Sequence, residues 1–348
     1  MPDSPNLKSV NQRYRDEKGL TRPAVVAPGP AAGRRLSLVG HCQIDARKAW
    51  PVGGGQVLVW EMGTDTLAVL SGSELVWRDT QPVLVRLVTT GPGDQLAVGG
   101  WDGSVRYFTG GKLTAALKLD GAVGDLQFTG NGLVAGSWKR ALWHISAAGT
   151  YEELLGLDKG VHCIAVTERA DRFAVADLSG GLAFYTGNRK VADLPAVEPI
   201  TDLAYAGTRL VILTDEALTG IRLNGSRGRA ESRPGALKLL PIPISGCCLL
   251  LVETAGGQGA ATVLQAWLVD EADRHVQYFT LPVGHQLMSA SRMAKRLTLA
   301  TPDRGCAYWR DGDQVQAWQD ALAATVSADG LLVAVSRPGR VELYEDSA

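Results

Sequence analysis

The sequence predicts an all-β fold: one β-propeller of four-stranded antiparallel blades, eight blades favoured and seven the alternative. Three observations carry this. Short apolar runs alternate with glycine-bearing turns throughout the chain, which holds 41 glycines in 348 residues. A strand–turn–strand unit recurs at a period of roughly 35 to 50 residues, the period of propeller blades. Each recurrence is flanked by two further strand-like segments, so that one repeat is a four-stranded sheet.

The unit reads most clearly in LAVGGWDGSVRYF (96–108) and LVAGSWKRALWHI (133–145). It recurs as FAVADLSGGLAFY (173–185), LVILTDEALTGIRL (210–223), LTLATPDRGCAYW (297–309) and LVAVSRPGRVELY (332–344). A longer-turned copy is CLLLVETAGGQGAATVLQAWLV (248–269), and QVLVWEMGTDTLAVLSG (56–72) is a degenerate first copy. Segments such as VLVRLVTTG (83–91), VHCIAVTE (161–168) and ITDLAYAG (200–207) precede the unit, and KLTAALKL (112–119) or KVADLP (190–195) follow it. A lone four-stranded sheet cannot cover both faces. Radial stacking gives each sheet two apolar neighbours.

Asp102-Gly103, Gly180-Gly181 and Pro338-Gly339 fall between strands, where left-handed backbone or a preset turn is needed. Phe108, Tyr185, Trp309 and Tyr344 recur at strand ends and read as core. The last unit lacks an outer strand, and RLSLVG (35–40) is expected to supply it, closing the ring without an exposed edge. The domain division is thus 1–34, an extended tail, and 35–348, the propeller.

Composition narrows function. Thirty-five Lys and Arg balance 36 Asp and Glu, so no global field attracts nucleic acid or anionic membrane. No apolar run reaches the roughly 18 residues of a membrane helix. The first twenty residues lack a signal-peptide core, and five cysteines without framework spacing fit a reducing cytoplasm. The abundance of Ala, Gly, Leu, Val and Arg suggests a GC-rich bacterium.

No phosphate loop, nucleophile elbow, H-E-x-x-H or C-x-x-C occurs. His41-Cys42 and His162-Cys163 each resemble the start of an innermost strand, where opposing blades could join them as a metal site; repeat divergence is the simpler reading. Glu152-Glu153 and Asp270-Glu271 are expected at solvated blade edges. No cofactor or small-molecule substrate is expected, and the chain reads as non-enzymatic.

LAVGGWDGSVRYF and SADGLLVAVSRPGRVELY (327–344) resemble compact, degenerate bacterial WD-repeat propellers from residue 35 onward. That family's Gly-His pairs and closing Trp-Asp dipeptides are mostly missing; only Gly40-His41 and Gly284-His285 remain, and Trp101-Asp102 sits in another turn. GSELVWRD (72–79) is similar to quinoprotein-like repeats, typically eight to a ring. The WD-repeat resemblance implies a rigid platform for other proteins in a larger assembly. The quinoprotein resemblance implies the alternative, an enzyme with a central-channel site, for which Cys247-Cys248 would be the vicinal disulfide; those cysteines read better as core.

Three regions are candidates for partner binding. Turns between second and third strands open on one face and supply Trp101, Lys139, Arg140, Arg304, Arg337 and Arg340, with Asp102, Asp215 and Asp303 beside them. The loop 221–238 carries Arg222, Arg227, Arg229, Arg233 and Lys238 against Glu231. It suits an acidic protein surface better than RNA, since no aromatics interleave for base stacking. The tail, seven basic residues against three acidic up to Arg35, offers Val10, Tyr14 and Leu20 as anchors.

Overall fold

A computed structural model describes residues 36–346, apart from 92, 155–158, 168–170, 196–197, 216, 223–225, 229, 242–245, 257–259, 282–284, 292–295, 302, 304, 311–312 and 328. Val10, Tyr14, Leu20, Arg229 and Arg304 lie outside the described residues.

The described residues form eight four-stranded antiparallel sheets and no helix. Seven blades are consecutive in sequence: 46–78, 85–118, 123–153, 161–194, 202–232, 236–280 and 286–318. The eighth takes three strands from 323–345 and its outermost strand, Ser37–Cys42, from the other end of the chain. That strand pairs with Arg340–Glu345, Leu38 opposite Tyr344 and Cys42 opposite Val341. The count is therefore eight. The long sixth copy is one blade whose middle hairpin, Cys247–Gly256 with Ala260–Asp270, projects beyond its neighbours.

The core is divided. Eight apolar clusters fill the eight seams between adjacent blades. The ring-closing seam packs Cys42 and Ala46 against Val341 and Leu343. Because each middle strand is covered on both faces, strands such as Gly132–Ser137 are buried along their whole length instead of alternating. Phe108, Tyr185, Trp309 and Tyr344 are buried as expected.

The same alternation decides the cysteines. Cys247 faces the seam with the seventh blade and Cys248 the seam with the fifth, so no disulfide joins them. His41-Cys42 lies in the closing outermost strand and not on the channel, which corrects its expected place in an innermost strand. Asp270 is likewise buried. Its carboxylate accepts the Ala272 and Arg274 N–H groups at 2.9 and 2.8 Å and pairs with the Arg274 guanidinium.

Strand parity gives the disc two unlike faces. Turns between second and third strands share one face with the connectors between blades, as the bonds from Trp101 N–H to Leu84 O, Trp138 N–H to Ala122 O and Leu178 N–H to Gly160 O show. We call this the turn face. First-to-second and third-to-fourth turns meet on the opposite face, where Gly110 N–H reaches Asp94 O and Ala147 N–H reaches Asn131 O.

Candidate functional site

Two places gather functional side chains: the central channel and the turn face. The channel has a volume of about 1520 Å³ and is lined by the innermost strands of all eight blades. In five of these strands the second residue is bulged out of register, at Arg47, Arg86, Gly124, His162 and Leu237. A bulge re-aims the residue after it, and at this level the channel carries a recurrent contact between blades. Asp125 accepts the Leu126 N–H at 2.8 Å and, from the next blade, the Ile164 N–H at 2.7 Å. Asp202 does the same with Leu203 and Leu239, both at 2.9 Å. Ser289 accepts the Val326 N–H at 3.3 Å, and Thr325 donates to Ala49 O across the ring closure.

Burial pushes the Asp125 carboxyl up to about 6 and raises Asp202 as well, although the backbone amides pull both down. Burial also lifts the Cys163 thiol well above its ordinary value. Lys238 sits on this wall beside the two carboxylates rather than in the basic loop. Among the described residues, no three His, Cys, Asp or Glu side chains come together as a metal-binding group.

On the turn face, Arg86 is the organising residue. Its guanidinium lies 5.3 Å from the Trp101 ring and 4.7 Å from the Trp138 ring. One nitrogen donates to the Val123 and Gly124 carbonyls at 2.6 and 2.5 Å. The two tryptophans meet edge-on at 5.4 Å. The cation thus clamps the second blade to the third by contact with two rings and by two hydrogen bonds.

The candidate residues of the turns differ in how free they are. Trp101 is half exposed, and Arg86 covers part of its ring. Lys139 makes an exposed 3.4 Å pair with Asp120. Arg140 is exposed and holds a left-handed backbone, φ 73°. Arg337 is tied to Asp320 and Glu342, and Arg340 to the same Glu342 at 2.8 Å. The Tyr344 hydroxyl donates to Glu342 as well, and these bonds hold its carboxyl below the usual range against the effect of burial.

The basic loop opens on the opposite face, between the third and fourth strands of the fifth blade. Arg227 is exposed and bridges to Ile221, whereas Arg233 turns inward to Glu231 and His275. The described arginines of the loop and those of the turns therefore lie on different faces and do not form one surface.

Comparison with known proteins shows a fold and no family. No protein-family model matches the chain, and no curated protein matches it. A solved structure of the computationally designed Ika8 protein is similar, with a TM-score of 0.60 over 90% of this chain and 100% of that one. The two are 13% identical, so the likeness concerns the fold alone.

Proposed function

We propose that this propeller is a non-catalytic docking platform for other proteins, binding them on its turn face as a subunit of a larger assembly. One observation carries the reading: the distribution of exposed apolar side chains. Met62, Leu84, Trp101, Leu178 and Leu322 are each 46–52% exposed, and all five lie in turns or connectors of that face. Among the described residues, the opposite face presents Leu331 alone in its turns. Leu38, Val39, Leu75, Val76, Tyr151 and Val191 are exposed on outermost strands at the rim, and Leu237 on an innermost strand. Of the two disc faces the turn face is therefore the more apolar, and apolar exposure concentrated on a face marks an interaction surface.

Two further observations support the reading. Asp125 and Asp202 are engaged by backbone N–H groups between blades, which gives the channel carboxylates a structural role. The basic residues split between faces, which gives RNA no continuous track. Buried cysteines outside any disulfide suit a reducing, cytoplasmic setting, and the compact repeats suit a bacterial WD-repeat-like propeller.

The test is affinity purification of the tagged protein from its native host, with nuclease treatment. A stoichiometric protein should co-purify and be lost with Leu84→Asp plus Leu322→Asp, yet be retained with Leu331→Asp. Recovery of the protein alone, or equal loss from both faces, would refute the proposal.

A further inference from the structure

We infer that the turn-face seam between the third and fourth blades is a groove for an acidic linear segment of a partner protein, seated by one apolar side chain; this rests on the turn face being the docking face. The groove has a volume of about 540 Å³. Its apolar floor is Trp138, Gly160 and Leu178. Lys139, Arg140 and Lys159 stand around it, against a single carboxylate, Asp120. Three cations to one anion is a local excess in a chain whose net charge is -1. Among the described residues, Asp120 is engaged with Lys139 alone, in an exposed pair that solvent screens. Among the described residues, no carboxylate pairs with Arg140 or Lys159.

The backbone at Arg140 is an independent observation. Trp101, Trp138 and Leu178 occupy equivalent places, since each donates its N–H to the connector entering its own blade. Two residues further on stand Gly103, Arg140 and Gly180, with φ of 86°, 73° and 86°. The sister turns place glycine where the chain must be left-handed, and this turn places arginine. The turn is fixed on both sides, because Ser137 Oγ accepts the Lys139 and Ala141 N–H groups. A strained residue of this kind persists because its surroundings fix it, and such residues cluster at ligand-binding and switch sites. Here it sets a guanidinium at the lip of an apolar groove. The groove is open and holds one or two side chains, which fits a linear segment better than a domain surface. Arg86 takes one contact on the Trp138 ring, and among the described residues no second aromatic lines the groove to sandwich a nucleobase.

The test selects random linear peptides on phage against the full-length protein and re-measures enriched sequences as synthetic peptides by titration calorimetry. The expected winners place Asp or Glu beside a large apolar residue. Arg140→Glu with Lys159→Glu should weaken them by about tenfold or more. Leu178→Asp should weaken them as well, and Leu322→Asp should not. Arg140→Gly should weaken them without lowering the melting temperature, which separates recognition from folding. Absence of enriched peptides, enrichment without acidic residues, indifference to the double reversal, or tighter binding of polyuridylate through the same cations would each overturn the groove. Failure here with turn-face-dependent co-purification intact refutes the groove alone; failure of both refutes the docking face.

Discussion

Asp125 of the third blade accepts the backbone N–H of Ile164 in the fourth at 2.7 Å, across 39 residues of sequence. A carboxylate that joins two blades from inside the channel links ring integrity to its own ionisation. Its folded value, about 6, lies above the ordinary 3.8. Between those values the folded chain holds the proton more tightly than the unfolded chain, so stability from this group rises as pH falls and is lost as pH climbs through about 6. Asp125→Asn removes the titration. Between about pH 7 and pH 4, the stability difference should move toward the wild type by roughly 2 kcal/mol. Chemical denaturation of both proteins across that range measures it, and a pH-independent difference would refute the assignment.

Arg86 gives a second prediction. Arg86→Ala removes two ring contacts and two hydrogen bonds at once, and should cost about 2–4 kcal/mol. Arg86→Lys should recover little, because a compact, strongly hydrated ammonium does not reproduce the guanidinium's broad contact with both rings. Denaturation midpoints followed by tryptophan fluorescence decide this, since Trp101 and Trp138 report on the clamp directly.

Ring closure gives a third. Without Ser37–Cys42, the strand Arg340–Glu345 becomes an unpaired edge and the buried Cys42 leaves its seam. Such an edge templates pairing with another chain. A protein beginning after Cys42 should self-associate in light scattering while the full chain does not, and a well-folded monomer would count against strand closure.

These relationships differ in how far the sequence discloses them. Strand content, the four-strand repeat and the closing segment are local patterns of apolar runs and turn residues, and they are visible at a glance in LAVGGWDGSVRYF. The Asp125–Ile164 contact is not, because nothing adjacent to either residue marks it. Arg86 is only one charge in the apolar run VLVRLVTTG; its tryptophan partners lie 15 and 52 positions away. The opposite orientation of the basic loop was available from strand parity alone: a third-to-fourth connection must open away from a second-to-third turn. His41-Cys42 misleads because a four-strand repeat that closes on itself disguises which strand comes first.

The fourth prediction concerns Arg140 and separates folding from use. At φ 73° an arginine side chain crowds its own backbone, and glycine does not. Arg140→Gly should therefore stabilise the protein by about 1 kcal/mol, reduced in part by the freedom glycine gains in the unfolded chain. Gly103→Arg is the mirror experiment. A β-carbon there would lie 2.3 Å from Leu119 O, so the same residue type in the preceding blade should destabilise by well over that amount. The contrast matters because both turns share length, hydrogen bonding to a connector and left-handed backbone. What differs is whether space exists for a side chain, and the third blade leaves that space open beside a groove. If thermal denaturation shows Arg140→Gly to be less stable than the wild type, the arginine is retained for the fold, and strain at this turn no longer points to a partner.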